Sequence, residues 1–294
     1  MFSSRKNTFY ILAQLRSFTK TAEKLNITQP AVSQHIKYLE EMYGVSLIKK
    51  EGRKIFLTEE GKFLYEHIKK ILAMERQITN ILKNQSNIIK RYRLGATKTI
   101  GAYLIPDILG KYKMKFSNQE VILEVGNTEN ILNKLEDGEL DLALVEGLFK
   151  KEKYDYKLLK KDELVPVFSA CHPFARRKKV KLGDVLNENL IIRELGSGTR
   201  TITENYLKTK GYNKDRYKIF MEIGDITAIK SLVKWNLGYS IISREAIKKE
   251  IEEKSLCIIE VEGLMIEREF NFVWRKGEKS SFIEDFIKFS ISTL

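Results

Sequence analysis

Two short runs of small and hydroxyl-bearing residues stand where helices should begin: Ala96-Thr97-Lys98-Thr99 and Gly196-Ser197-Gly198-Thr199-Arg200. Free backbone N–H groups at a helix N-terminus, beside Thr or Ser hydroxyls, attract a small anion. Two such turns facing each other would clamp one. Taken singly, each run is better explained by ordinary N-capping through Thr97, Thr99 or Ser197. Thr128 adds a hydroxyl after Asn127, whereas Glu146, in Leu142-Ala143-Leu144-Val145-Glu146-Gly147, brings a carboxylate. Such a carboxylate repels a bare anion unless Lys98 or Arg200 neutralises it; otherwise it could receive the ammonium of an amino-acid-like ligand.

A second constellation lies near the N-terminus. Val32, Ile36 and Leu39 keep helical spacing, and the opposite face carries Gln29, Ser33, Gln34 and Lys37. Glutamine reads adenine in a DNA major groove, serine reads either base, and lysine reaches phosphate or guanine. Thr28 is a suitable N-cap, Pro30 falls in the first turn where its missing N–H costs nothing, and Gly44 supplies the stop.

Catalytic readings fare poorly. Gly196-Ser197-Gly198 lacks the spacing of a nucleophile elbow, and neither a P-loop nor a dinucleotide fingerprint follows it. His35, His67 and His172 are too dispersed for a triad or a metal cluster. Cys171 beside His172 could form a thiol sensor, but a buried cysteine at a strand end is the plainer expectation. The sequence therefore predicts no enzyme, no metal and no cofactor.

These residues need elements to hold them. A first helix carries Phe9, Leu12, Ala13 and Leu15, and a short second one spans 20–25. After the turn at Asn26-Ile27 comes the helix capped by Thr28. Two helices around a tight turn, the second lined with amides, make a helix-turn-helix. Short strands at 47–50 and 54–57, around Glu51-Gly52-Arg53, make a β-wing whose Arg53 would enter a minor groove and whose Lys54 would grip phosphate. The alternative is a solvated amphipathic bundle with scattered charge. Beyond Thr58, apolar residues recur at Leu64, Ile68, Ile71, Ile78, Leu82 and Ile89, a coiled-coil-like seam about 45 Å long at 1.5 Å per residue. Packing of that helix on its own domain competes with dimerisation; the basic flanks favour dimerisation.

From residue 92 strands alternate with helices. Strands are expected at 92–96, 120–125, 140–145, 163–169, 190–193, 218–222, 239–243, 256–260 and 269–274. Helices are expected at 100–115, 128–136, 199–210, 226–235, 244–253 and 282–290. That alternation signifies an α/β domain.

The chain has 294 residues, enough for about two domains with their own cores. Its 52 Lys/Arg exceed its 39 Asp/Glu, giving +13 and pointing to a polyanionic partner. Residues 1–94 hold 18 basic against 8 acidic residues, a net of +10, so the excess sits on the helix-turn-helix and its connecting helix. No apolar run is long enough to cross a bilayer. No export signal is evident and two cysteines make no disulfide framework, so a cytoplasmic protein without a membrane partner is expected.

The stretch 17–41, followed by Tyr43-Gly44-Val45-Ser46-Leu47 and Leu57-Thr58-Glu59-Glu60-Gly61, resembles the winged helix-turn-helix of LysR-type transcriptional regulators. The likeness is dense over about sixty residues; Thr21, Ile48 and Lys50 depart from the family's usual alanine, phenylalanine and arginine. It implies an all-α winged helix-turn-helix at 1–62, a linker and dimerisation helix at 63–91, and an α/β two-lobed periplasmic-binding-protein-like effector domain at 92–294. Lobe I would cover about 92–161 and 267–294, and lobe II about 162–266. Double-stranded DNA, a small anionic effector, a second copy or a tetramer, and RNA polymerase are the partners it implies. DNA contacts are expected from Thr28, Gln29, Pro30, Ser33, Gln34, Lys37, Arg53 and Lys54. Effector contacts are expected from Thr97, Lys98, Thr99, Thr128, Glu146, Ser197, Gly198, Thr199 and Arg200. The hydroxyl-rich turns resemble most closely the members governing sulfur assimilation, in some of which comparable threonines hold an oxyanion. An amino-acid-like or aromatic carboxylate is the alternative effector. From a different class, a cytoplasmic solute-binding or metabolic protein with a basic assembly domain would show no sequence preference for DNA.

Overall fold

The computed structural model describes residues 4–52, 54–85, 90–278 and 280–294. Two compact units emerge, Met1–Ile88 with Glu136–Glu139, and Ile89–Leu135 with Leu140–Leu294.

In the first unit, helices α1 (Ser4–Leu15), α2 (Phe18–Leu25) and α3 (Gln29–Tyr43) precede a hairpin of β1 (Ile48–Glu51) and β2 (Lys54–Leu57). The second helix is longer than expected because Ser17 caps it, accepting from the Lys20 N–H at 3.3 Å. Asn26 ends it in the left-handed region (φ 53°), a conformation asparagine tolerates. Thr28 then caps α3 through the Ala31 N–H, and Gly44 (φ 67°) closes that helix. Phe9, Leu12, Ile36, Leu39, Leu47, Ile55 and Ile68 build the core.

Helix α4 (Glu59–Gln85) follows. The Thr58 hydroxyl accepts from the Gly61 N–H at 2.9 Å and donates to the Ser46 carbonyl at 2.6 Å, fixing the first turn against the wing. Gly61 must be glycine: a Cβ there would lie 2.0 Å from the Leu47 carbonyl oxygen. The expected seam divides into two uses. Leu64 and Ile68, joined by Leu72 from outside that seam, pack into the first unit's core, whereas Ile71, Ile78 and Leu82, and Met74 beside them, are exposed. Ile89 lies outside the described residues.

In the second unit one large sheet is built from β3 (Lys90–Thr97), β4 (Gln119–Gly126), β5 (Leu142–Val145), β6 (Tyr154–Ser169), β10 (Ser240–Ser243), β11 (Leu256–Ile258) and β13 (Ile266–Arg275). Its order is β10-β6-β13-β5-β3-β4, with β11 also on β6. β3 runs parallel to β4 and β5, while β13 is antiparallel to β5 and β6. β6 and β13 stay paired from Ile266↔Leu164 to Arg275↔Tyr154, with one irregularity between Phe270 and Asn271. These two long strands carry the chain between two lobes. Around β3–β5 pack α5 (Lys98–Tyr103), α6 (Ile105–Lys115), α7 (Thr128–Glu136) and α12 (Ser281–Thr293), with Leu94, Ile105, Phe270, Phe272 and Phe286 in the core.

The other lobe adds β7 (Val180–Lys181), α8 (Leu182–Leu186), β8 (Leu190–Arg193), α9 (Gly198–Thr209), β9 (Ile219–Ile223), α10 (Ile226–Lys234), α11 (Lys248–Glu252) and β12 (Val261–Glu262). Its apolar residues form two clusters, one around Phe168, Leu207 and Tyr239, the other around Val165, Ile191 and Ile229.

Several boundaries differ from the expectations. The single helix at 100–115 breaks at Leu104 because Pro106, in the next turn, restarts it. The strand expected at 163–169 begins nine residues earlier, its first half hidden by exposed lysines that obscure alternation. The helix expected at 244–253 is a 3-10 turn (Arg244–Ile247) followed by α11. β7, α8 and β12 are too short to register as periodic patterns.

Candidate DNA-reading surface and interlobe cavity

On α3 the two faces separate as their chemistry requires. Val32, Ile36 and Leu39 are buried, while Thr28, Gln29, Pro30, Ser33, Gln34 and Lys37 are exposed on the other side. The helix is fixed from behind: His35 Nδ1 lies 2.8 Å from the Thr8 hydroxyl of α1, and Arg5 covers the Tyr38 ring at 4.0 Å. Lys37 remains solvated, 3.6 Å from Glu41. Lys54 is exposed at the start of β2; Arg53 lies outside the described residues. Glu40 was not foreseen from the sequence. Its Oε1 accepts from the Leu47 N–H (2.8 Å), the Ile48 N–H (3.3 Å) and the Ser46 hydroxyl (3.2 Å), tying the wing's entry to α3.

In the second unit, the two hydroxyl-bearing turns meet around an arginine. Arg268 of β13 is 1% exposed in its side chain and makes four polar contacts. Nε donates to Asp162 Oδ2 at 2.7 Å, Nη1 donates to the Thr199 hydroxyl at 2.9 Å, and Nη2 reaches the Thr99 hydroxyl at 3.5 Å. Glu146 Oε1 lies 3.7 Å from Nη1 and accepts from the Thr99 hydroxyl at 2.8 Å. Ser243 donates to both Asp162 oxygens. Arg268 was missed because charged neighbours surround it in Glu267-Arg268-Glu269. One signal was present: it shares strand parity with Ile266 and Phe270, which face inward.

Lys98 and Arg200, the expected neutralisers of Glu146, are engaged elsewhere. Lys98 donates to Glu194 at 2.8 Å and to the Gly224 carbonyl at 2.5 Å. Arg200 pairs with Glu204 at 2.9 Å and Glu222 at 2.6 Å and donates to the Arg193 carbonyl. Burial pushes the Glu194 carboxyl up, but hydrogen bonds from Arg193 and Lys98 outweigh it and hold the group below its ordinary range. Arg268, which shares its charge with Asp162, stands beside Glu146 instead.

Thr97 spends its hydroxyl on the Leu144 carbonyl at 3.4 Å. Thr128 and Ser197 are buried, and their hydroxyl oxygens have no hydrogen-bond partner among the described residues. Gly147 and Gly198 bring the lobes into backbone contact beside Thr128. A Cβ on Gly198 would meet Gly147 Cα at 2.5 Å and the Thr128 hydroxyl at 2.7 Å.

Next to this contact lies a cavity of about 500 Å³. Leu148, Phe149, Ile202, Tyr206 and Met265 supply its apolar wall; Glu146, Arg268 and Asn271 reach it from the strands. Of the nine effector residues expected from sequence, Glu146 lines this cavity and the other eight do not; Thr199 and Arg200 border a separate small pocket beside Leu190, Ile192 and Ser240. Glu146 Oε2 and Asn271 Oδ1 are buried acceptors that no described group satisfies.

Cys171 is exposed just beyond β6, contrary to the buried position expected. The turn that follows Ser169 points it outward, and His172 takes the inner place. Its ring packs 4.7 Å from Phe168 and 4.8 Å from Phe174, with Nδ1 accepting from the Phe174 N–H.

Residues 6–62 match the family model of the bacterial regulatory helix-turn-helix proteins of the lysR family, and residues 87–294 match that of the LysR substrate binding domain. The chain belongs to the LysR family. It is 32% identical over 275 residues to the transcriptional activator CmpR of Synechocystis, covering 94% of this chain and 90% of that protein. A structure of the Synechocystis CcmR regulatory domain in complex with 2-PG superposes with a TM-score of 0.64 at 26% identity, covering 69% of this chain and 96% of that one. The LysR family regulator CbnR shares the fold over 98% of both chains (TM-score 0.65, 16% identity). As a LysR-family member the protein is a DNA-binding transcription regulator with an effector-binding domain, and its relatives are regulators rather than enzymes. Among the described residues no helix is long and apolar enough to cross a membrane.

Proposed function

We propose that this LysR-family regulator senses a small anionic effector between the lobes of its second unit and couples that binding to operator recognition by α3 and the wing. The reading rests on one observation: Thr128 and Ser197 present buried, unpartnered hydroxyls where α7 and α9 begin. Hydroxyl donors beside helix N-termini suit an acid group. The 2-PG complex of the CcmR regulatory domain supports a small ligand for this type of domain. A sulfur-containing oxyanion would use the hydroxyl end alone, while an organic acid would also fill the cavity.

Gln29, Ser33 and Gln34 read bases, whereas Thr28, Pro30, Lys37, Arg53 and Lys54 position the backbone or enter the minor groove. The exposed stripe Ile71, Met74, Ile78 and Leu82 pairs two copies in the cytoplasm, which places two reading helices on a two-fold site. A thermal-shift series with sulfate, sulfite, thiosulfate, O-acetylserine and aromatic carboxylates tests the effector. Stabilisation by small acids, lost in a Thr128→Val/Ser197→Ala double variant, is expected. Stabilisation by bulky aromatic acids alone, indifferent to both hydroxyls, would refute the anion end.

A further inference from the structure

The cavity's unsatisfied atoms are acceptors. Glu146 Oε2 and Asn271 Oδ1 lie on residues 3% and 2% exposed, both lining the same space, and neither has a donor among the described residues. A buried carboxylate oxygen left without a donor costs substantial desolvation free energy, so a ligand that brings one binds with a large advantage. Asn271 cannot supply it by turning its amide, because Nδ2 already donates to Glu269 at 3.2 Å. Arg268 does not donate to it either: its Nη1 lies 3.7 Å from the other oxygen, Glu146 Oε1, and its hydrogen bonds go to Asp162, Thr199 and Thr99.

Charge points the same way. Glu146, Glu267 and Glu269 line the cavity against Lys151 and Arg268. Lys151 is matched by Glu269 at 3.6 Å, and Arg268 also carries Asp162 at 2.7 Å. The local field is therefore negative where the free acceptors stand. A bare oxyanion placed there would be repelled and would leave both acceptors unpaired. The volume, about 500 Å³, lies in the range of organic ligands.

Building on the effector-sensing function assigned above, we propose that the effector is an amino-acid-like zwitterion. Its ammonium donates to Glu146 Oε2 and Asn271 Oδ1, its body packs on Phe149, Ile202 and Met265, and its acid end meets the Thr128 and Ser197 hydroxyls. Glu146→Gln is the informative variant. Its carbonyl oxygen still accepts from Thr99, while its NH2 turns the face presented to the cavity from acceptor to donor.

The test is calorimetry on the full chain with matched acids that differ in the α-ammonium alone: aspartate against succinate, glutamate against glutarate, phenylalanine against 3-phenylpropionate. At least one ammonium-bearing member binds wild type more tightly than its partner by about tenfold or more. Glu146→Gln abolishes that preference while melting within a few degrees of wild type. Equal binding within every pair, a preference that survives Glu146→Gln, or no binding by any ammonium-bearing acid at millimolar concentration overturns the proposal. Succinate or sulfate binding that ignores Glu146 leaves the anion reading standing and removes this one. Glu146-dependent binding of simple amines such as putrescine, without any acid binding, removes both readings, since each needs an acid group on the hydroxyls.

Discussion

A single guanidinium joins the two lobes and the strands between them. Arg268 contacts Asp162 on β6, Thr99 at the start of α5 and Thr199 at the start of α9. Replacing it by methionine would bury Asp162 and Glu146 without their cation. Removing one partner of a buried charge pair costs about 3–5 kcal/mol. Arg268→Met is therefore expected to lower the unfolding free energy of the second unit, read by urea denaturation, by that order, and a loss under about 1 kcal/mol would show the network to be slack. His172 gives a pH signature at the same scale. Burial pushes its imidazole below the ordinary value of 6.5, against the pull of Glu188, so the unfolded chain takes up its proton first. The stability it contributes is complete above about 6.5 and declines as the pH falls towards the folded value. His172→Asn retains a capping acceptor for Phe174 and removes the titration. Melting temperatures measured from pH 7.5 to 5 should fall less steeply for the variant; parallel curves would assign the slope elsewhere. Glu146 and the hydroxyls were legible in the sequence because strand-end and turn positions advertise chemistry. Arg268 and Asn271 were not, since strands that cross between lobes bury alternate residues whatever their charge.

Helix α3 shows how an element can be legible when its parts are local. Cap, proline, apolar stripe and glycine stop all fall within α3 and its flanks, and all are observed. The linker was less legible: the same periodicity serves the unit's own core at Leu64 and Ile68 and an exposed stripe from Ile71 onward. Period alone does not say where burial passes from one partner to another. For α3 the roles divide by chemistry. Gln34→Ala should reduce binding to the operator more than to random DNA, whereas Lys54→Ala should weaken both equally and lower the salt slope by about one. Gel shifts over a salt series separate them, and equal losses for Gln34→Ala on both DNAs would end its base-reading role. Glu40→Ala tests the wing tie. Three hydrogen bonds converge on that carboxylate, so the variant should lose about 1–3 kcal/mol of stability and bind all DNA more weakly without changing preference. An altered operator preference would place Glu40 in base reading instead.

At the scale of the whole effector domain, the proposed effector sensing needs two lobe arrangements of similar free energy, since a ligand shifts an equilibrium only by its differential affinity for the two states. Lys98 is placed to set that balance. It projects from the turn after β3 to Glu194 and the Gly224 carbonyl on the facing lobe, while Gly147 and Gly198 allow the backbones to touch. The lysine is about a third exposed, so solvent screens the pair and its worth is closer to about 1 kcal/mol than to that of a buried bridge. That amount suits a latch: it biases closure about fivefold without locking it. Lys98→Ala should therefore enlarge the radius of gyration of the ligand-free effector domain and weaken effector binding about fivefold, chiefly through faster dissociation. Glu194, held below its ordinary range by Arg193 and Lys98, keeps the latch charged above the unfolded carboxyl's titration and releases it as the pH falls through the lowered value. Small-angle scattering from pH 7 down to 3.5 should show wild type opening towards the dimensions of the variant, with the variant itself changing little. If wild type and Lys98→Ala scatter alike at neutral pH, the lobes are held by Arg268 and the glycine contact, and Lys98 has no part in the switch.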